Sequence, residues 1–431
     1  MKGRALPLTL RLYRGASAAA SLLAPAWLSY RVRKGKEDPS RLAERRGHPS
    51  AERPDGPLVW VHGASVGEVI SVLPLIERLD ARGFKVLLTS GTLTSSRVAA
   101  TRAPPGVIHQ FVPLDARGFI ARFLDHWAPD LVLLAESELW PNLIAELGRR
   151  GTPVVLVNGR LSERSSKRWA RLPKSARALL SRIDLCLAQS AEDAARFRAL
   201  GTPRVEICGN LKFDVPPPGV DAAELKRFGL AVGKRPVLLA ASTHEGEEGA
   251  IIEAHRIITS RIPDLLTIIA PRHPERGTEV AELAEAAGLA PRQRAFDEWP
   301  DADTGIYVAD TIGELGLFYR LAQVAFMGGS LVEHGGQNPI EPAKLGTVVL
   351  HGPHVWNFAA VYEALDTNEG AAEVVDAMGI ARAAYALMQD SQIQGHMADA
   401  AFATVTALGG ALDRTLSAIE PYLIQIRLEA R

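Results

Sequence analysis

A chain of 431 residues, 47% of them hydrophobic, is too long for one ordinary core and can fill two. Its 49 basic side chains balance 49 acidic ones, which argues against a general nucleic-acid binder and confines any anion site to a local patch. Only Cys186 and Cys208 occur, both within apolar runs, so they are expected to be buried thiols and not a disulfide or metal scaffold.

Residues 1–36 stand apart. From Gly15 to Tyr30 the chain is uncharged, yet this run is shorter than the roughly 20 residues of a spanning helix, and Arg11 and Arg14 precede it. It closes on Trp27-Leu28-Ser29-Tyr30 and is followed by Arg31, Arg33, Lys34, Lys36, Arg41, Arg45 and Arg46. No small-residue cleavage site ends it, so a segment resting on an anionic membrane surface fits better than a signal peptide. The expectation is a monotopic anchor that lies outside the domain core.

From Leu58 onward short apolar runs alternate with amphipathic segments, the pattern of an α/β fold with a mostly parallel sheet covered on both faces. Strands are predicted at Leu58–His62, Lys85–Thr89, Leu131–Ala135, Val154–Asn158, Leu185–Ala188 and Val205–Gly209. Between the first two, Val69, Val72, Leu73, Ile76 and Leu79 mark one helix face, with Pro74 as a kink. Asp214-Val215-Pro216-Pro217-Pro218-Gly219 fits neither a helix nor a central strand and sets a domain boundary, giving domains at 37–214 and 215–410. A second series follows at Val237–Ala241, Leu265–Ala270, Ile306–Ala309, Val324–Met327 and Val348–His351. Residues 411–431 are expected to add a helix, roughly Ala411–Glu429, interrupted by Pro421.

Ligands of open α/β sheets bind beyond the carboxyl ends of strands, so the polar groups there are the candidates. They include Ser65-Val66-Gly67-Glu68, Glu136-Ser137-Glu138, Lys212, Ser242-Thr243-His244, Pro271-Arg272-His273, Ile312-Gly313-Glu314 and the glycine loop opening at Gly328-Gly329-Ser330. Glycines there let backbone N–H groups approach a phosphate closely. The loop leads into Asn338-Pro339-Ile340-Glu341, with Asn338 as N-cap and Pro339 as first helical residue. Ser65/Glu68, Thr311/Glu314 and Asn338/Glu341 all have capping-box spacing, so each glutamate reads either as a helix cap or as a ligand group. Arg272 and Lys212 are harder to explain as caps, because a cation at a helix start opposes the macrodipole unless an anion lies between. Dinucleotide and P-loop fingerprints are missing. Asp301-Ala302-Asp303 reads as a solvated loop, and His244 and His273 lack partners at metal-ligand spacing, so no metal is expected.

Taken together, these motifs resemble the lipid A Kdo transferases, which move 3-deoxy-D-manno-oct-2-ulosonic acid (Kdo) from CMP-Kdo to a lipid A precursor. The matching blocks run in order from Ser65-Val66-Gly67-Glu68 through Glu136-Ser137-Glu138-Leu139-Trp140-Pro141-Asn142, Lys212-Phe213-Asp214, Ser242-Thr243-His244-Glu245-Gly246-Glu247-Glu248 and Pro271-Arg272-His273-Pro274-Glu275-Arg276 to Gly328-Gly329-Ser330-Leu331-Val332-Glu333. Departures are Ser137 for threonine, Asn210 for serine and Gln337 for histidine, none of which removes a charge. The resemblance implies GT-B architecture: two Rossmann-like domains facing across a cleft, donor in the C-terminal half, acceptor in the N-terminal half, and the final helix returning to the first domain. It also implies an inverting single displacement without metal or other cofactor, at the cytoplasmic face of a bacterial inner membrane. By the same resemblance Glu68 is the proton acceptor, and Glu136 and Lys212 are transition-state stabilisers. Pro271, Arg272, Ile312, Gly313, Glu314, Asn338, Pro339, Ile340 and Glu341 form the CMP site. The rivals are a nucleotide-sugar 2-epimerase on the same fold, a membrane-docked nucleotide-sugar sensor without turnover, and a Rossmann oxidoreductase.

Overall fold

The computed structural model describes residues 6–429. The first five residues of the predicted anchor and the final two of the predicted closing segment 411–431 fall outside them. The chain forms two compact units, one running to Val215 and resuming at Gly409, the other spanning Pro216–Leu408.

The first unit contains strands β1 (Leu58–Gly63), β2 (Lys85–Ser90), β3 (Ile108–Phe111), β4 (Leu131–Ala135), β5 (Val154–Gly159), β6 (Leu185–Ala188) and β7 (Val205–Ile207). They pair in the order β3-β2-β1-β4-β5-β6-β7, every pair parallel. The second unit contains β8 (Val237–Thr243), β9 (Leu266–Pro271), β10 (Arg292–Gln293), β11 (Ile306–Val308), β12 (Val324–Met327), β13 (Val348–His351) and β14 (Ala371–Glu373). Their order is β10-β11-β9-β8-β12-β13-β14, again all parallel. Strand order reverses direction between β1 and β4 in one sheet and between β8 and β12 in the other. At such a switch point the loops leaving two neighbouring strands diverge and open a crevice.

The helix predicted around Val69–Leu79 runs from Val66 to Ala81, with Pro74 buried inside it. The closing helix, Ala411–Glu429, is continuous through Pro421, contrary to the expected interruption. Its Leu416, Ile419, Leu423 and Ile426 join the same apolar cluster as Val69, Val72 and Leu79, and this burial offsets the backbone hydrogen bond that a proline cannot donate. Asp214 ties the helix start to the strand side of the unit, one carboxylate oxygen accepting from Gly410 N–H and the other from Leu412 N–H, each at 2.6 Å.

The N-terminal segment differs from expectation. It is two helices, Leu8–Ser21 and Ala24–Arg33, joined at Leu22-Leu23. One face belongs to the domain core: Leu10 packs in a cluster with Trp60, Phe123 and Leu143. Tyr13 donates to Asp115 (3.0 Å), and Asn142 donates to Ser17 (2.9 Å). The other face exposes Leu8, Leu12, Leu22, Leu23, Trp27 and Tyr30. Among the described residues no helix is long and apolar enough to cross a membrane. The basic cluster is divided as well. Arg33, Lys34 and Lys36 are exposed, but Arg45 is buried, with Nε on Glu37 (3.0 Å) and Nη2 on the Gly91 carbonyl (2.6 Å). Arg31 shares Glu37 (2.8 Å), and Arg41 pairs with Glu44 (2.8 Å). These cations fasten residues 37–46 to the first unit.

Removing one member of a buried ion pair strands the other charge in a medium that cannot solvate it. Glu37→Ala is therefore expected to destabilise the first unit by about 3 kcal/mol. The measurement is urea unfolding, where the midpoint should fall with no change in slope. An unchanged midpoint would show that Arg45 finds water or another acceptor.

Candidate active site

In the first unit the switch point lies between β1 and β4, and the polar residues past both strands converge there. Ser65 caps the helix that follows β1, its hydroxyl oxygen accepting from Glu68 N–H at 3.3 Å. The half-buried Glu68 carboxylate turns back and accepts from Ala64 N–H (2.9 Å) and the Ser65 hydroxyl (2.8 Å). Glu68 is thus both a cap and a poised carboxylate. Burial pushes its proton affinity up, the Ser65 and Ala64 hydrogen bonds oppose this, and the charges of Glu138 and Glu136 push it further up.

Glu136 leaves β4 with a φ of 52°, a left-handed conformation that a residue with a side chain adopts at a cost. Its carboxylate meets Lys212 Nζ at 3.0 Å. Lys212 sits in a single 3-10 turn, Leu211–Phe213, held from two sides: Asn210 Oδ1 accepts Lys212 N–H (3.0 Å), and buried Asn158 Oδ1 accepts Leu211 N–H (2.9 Å). A three-residue turn has little macrodipole, and the nearby anion is Glu136. The expectation that Lys212 needs a phosphate to justify its position is thereby answered within the chain. The structure brings Glu68, Glu136 and Lys212 together, and it adds Glu138 and His62, whose roles the motifs did not reveal.

In the second unit the switch point lies between β8 and β12. Gly328 is required there, since a Cβ on it would lie 2.3 Å from the Ser242 carbonyl oxygen. Three consecutive amides of the glycine loop are already occupied by a side chain. Buried Glu247 accepts from Gly329 N–H (2.7 Å), Ser330 N–H (3.0 Å), Leu331 N–H (3.0 Å) and His244 N–H (2.9 Å). The anion that these amides cradle is a side chain, which corrects the reading of them as phosphate donors. The nearby His244 ring stacks on His334 at 4.3 Å between centroids and lies 3.1 Å from the Gln337 amide. Burial first, then His334, His273, Arg272 and Arg276, lower its pKa to about 4, so the ring is neutral at pH 7.

Arg272 follows β9 with its guanidinium exposed and unpaired among the described residues, an available cation at a strand end. Asn338 accepts from Ile340 N–H (3.1 Å) and donates to Glu341 (3.3 Å). The helix begins at Ile340, one residue later than expected, and runs only to Lys344. Ile312 is exposed, and Gly313 has φ 94°. Glu314 is engaged by Arg294 (2.7 Å), which also holds Glu224 (2.7 Å), and by the Thr311 hydroxyl. Its helix starts at Leu315, so the Thr311/Glu314 spacing does not form a capping box. Asp301 closes a turn on Thr304 and pairs with Arg292 (2.8 Å), while Asp303 is exposed. Among the described residues no three His, Cys, Asp or Glu side chains are grouped to hold a metal ion. Both cysteines are buried and free, as expected, and burial pushes the Cys208 thiol up to about 11.

Two parallel sheets with functional groups gathered at their switch points are the architecture of GT-B enzymes. A glycosyltransferase from Rickettsia africae ESF-5 superposes with a TM-score of 0.58 at 12% identity, covering 86% of this chain and 99% of that one. A putative UDP-N-acetylglucosamine 2-epimerase from Listeria monocytogenes gives 0.58 at 16% identity, covering 86% and 97%. Such low identities establish the fold alone. Sequence goes further. Residues 40–215 match the family model described as 3-deoxy-D-manno-octulosonic-acid transferase (kdotransferase). The 3-deoxy-D-manno-octulosonic acid transferase of Haemophilus influenzae is 36% identical over 393 residues, 89% of this chain and 91% of that protein. The enzyme of the same name from Bordetella pertussis is 36% identical over 412 residues, covering 92% and 95%. The chain belongs to the 3-deoxy-D-manno-octulosonic acid transferase family and is a glycosyltransferase of Kdo transfer.

The raised proton affinity of Glu68 has a consequence for stability. A carboxyl whose folded pKa exceeds its unfolded value gains stability as pH falls through the folded value and loses it above. Glu68→Gln, which keeps one acceptor for Ala64 N–H, is expected to melt above wild type at pH 8. That advantage should shrink on acidification toward the ordinary glutamate range near about 4.3. Melting curves across pH check this. A variant melting below wild type at pH 8 would make capping the dominant role of the carboxylate.

Proposed function

We propose that this enzyme transfers Kdo from CMP-Kdo to a hydroxyl of a lipid A precursor by a single inverting displacement, with Glu68 as proton acceptor. The observation that carries the reading is the half-buried Glu68 carboxylate, held by Ser65 and Ala64 at the β1/β4 switch point beside the Glu136–Lys212 pair. A sugar hydroxyl is a weak nucleophile, so its proton must pass to a base as the new bond forms. Glu68 takes that proton, the hydroxyl oxygen bonds to the anomeric carbon, and the CMP phosphate departs with the bonding electrons. Lys212, oriented by Glu136, meets charge that develops in the transition state. In the second unit Arg272 receives the phosphate, with Pro271, Ile312-Gly313-Glu314 and Asn338-Pro339-Ile340-Glu341 as the remainder of the CMP site. A single-phosphate leaving group can be met by side-chain cations, so the reaction is proposed to need no metal or other cofactor.

The relatives' shared activity supports the donor sugar, and an exposed cation after β9 supports an anionic donor. In wild type, transfer should persist in EDTA. Under the same conditions Glu68→Gln should lose at least about a hundredfold in turnover with CMP binding retained. Arg272→Ala should instead weaken CMP binding. Near-wild-type turnover by the Glu68 variant would return that residue to a capping role, and loss of wild-type activity in EDTA that magnesium restores would bring a metal into the reaction.

The acceptor is an anionic lipid in this reading, and the enzyme works at the cytoplasmic face of a bacterial inner membrane. Exposed Leu12, Leu22, Leu23, Trp27 and Tyr30, flanked by Arg33, Lys34 and Lys36, suit a helix pair lying on an anionic surface. Because Leu10 belongs to the core, deletion of the segment is a poor test. The substitution Leu22→Ser with Leu23→Ser and Trp27→Ser should reduce sedimentation with anionic vesicles, while turnover on detergent-dispersed acceptor persists. Undiminished sedimentation would locate the membrane-binding surface elsewhere.

A further inference from the structure

His62, near the carboxyl end of β1, is fully buried and uses only one ring nitrogen. Its Nδ1 lies 2.8 Å from Thr89 Oγ1 and 3.1 Å from the Thr89 carbonyl oxygen. The Thr89 hydroxyl also accepts the Trp60 indole N–H at 2.9 Å. An indole N–H can only donate, so it takes a Thr89 lone pair and leaves the Thr89 proton for another acceptor. The other imidazole nitrogen, Nε2, has no hydrogen-bond partner, but Glu138 Oε2 lies 3.5 Å from it. That same carboxylate accepts the Trp140 indole N–H at 2.5 Å. A nitrogen lone pair facing a carboxylate would be repelled, whereas an N–H is attracted. Facing Glu138, the favourable arrangement puts a proton on Nε2, so that His62 Nε2–H points to Glu138, while Nδ1 takes the Thr89 hydroxyl proton or, when it too is protonated, donates to the Thr89 carbonyl oxygen.

Burial alone would raise the proton affinity of Glu138, but His62 and Trp140 outweigh it and hold the carboxyl below the usual range. The charged groups acting on Glu68 are then Glu138 and Glu136, both from the loop after β4. Lys212, from the turn after β7, is already paired with Glu136. His62, from β1, reaches this cluster only through Glu138.

We propose that His62 and Glu138 are positioning residues for Glu68: the imidazole N–H keeps Glu138 an anion beside it, and that anion makes Glu68 the better proton acceptor. This rests on Glu68 being the base of the proposed transfer. The nearby Glu138 carboxylate also gives the second nitrogen of this fully buried histidine, which has no hydrogen-bond partner, a charge to face.

The test separates the pair from the base assignment. Full-length protein labelled with 13C at glutamate carboxyls is titrated by NMR, and Glu68 is assigned by the signal that Glu68→Gln removes. In Glu138→Gln the Glu68 midpoint should fall by at least about half a pH unit. The acid limb of kcat/KM should move the same way, with the KM for CMP-Kdo unchanged. Trp140→Phe, at an exposed site, should raise the midpoint of Glu138 itself and serves if the first variant does not fold. His62→Leu should do the same, and His62→Gln, which restores an N–H, should reverse it in part. An unmoved Glu68 midpoint in folded Glu138→Gln, or an unmoved Glu138 midpoint in both Trp140→Phe and His62→Leu, overturns the proposal. A Glu68 midpoint that moves while the acid limb stays in place keeps the pair and removes Glu68 from the role of base.

Discussion

A parallel strand buried on both faces has no place along its length for a polar side chain without a partner. Every strand pair in both units is parallel, so the carboxyl ends of each sheet lie along one edge and polar groups collect there. Glu68, Glu136 and Glu138 occupy that edge in the first unit, and His244, Glu247 and Arg272 occupy it in the second. Strand interiors admit only polar side chains that find a partner, as His62 and Thr89 do, and the remaining polar groups gather at this edge.

Within that constraint carboxylates are used in two ways. Glu37, Asp214 and Glu247 are spent on structure: each sits among donors of its own unit and fixes a loop or a chain crossing. Glu68 and Glu138 sit close to other carboxylates, and neither is paired with an arginine or lysine. Burial first, and then the crowding of like charges, raises the proton affinity of Glu68 above that of an ordinary glutamate. The contrast between Glu247, satisfied by four N–H groups, and Glu68, satisfied by two donors and opposed by two anions, separates framework from chemistry better than sequence position does.

The central strands were legible because apolar runs announce them. The strands that escaped prediction, β3, β10 and β14, all lie at or next to a sheet margin, where one side is not enclosed and the run need not be apolar. Ile108-His109-Gln110-Phe111 is such a case, since its polar residues face the Arg41 and Trp127 side chains. The motif blocks named Glu68, Glu136 and Lys212 as candidates, and folding brings these together in one unit. Sequence could not show that the glycine loop is filled by Glu247, because that contact joins residues 82 to 84 positions apart. Nor could it show that Arg45 turns inward, since an arginine in a basic run reads the same whether or not Glu37 meets it. His62 is hidden by its position within an apolar strand, where a single histidine reads as part of the run.

The chain leaves the first unit at Val215 and returns at Gly409, so the helix that completes the first core is made only after the whole second unit. Translation at about 5–20 residues per second separates the two events by roughly ten to forty seconds. For that time the apolar surface that receives Leu416, Ile419, Leu423 and Ile426 has no cover, on a nascent chain whose second unit is already free to fold. Such a surface invites binding by a holding chaperone, and a ribosome stalled anywhere between the two points leaves a folded second unit attached to an incomplete first one.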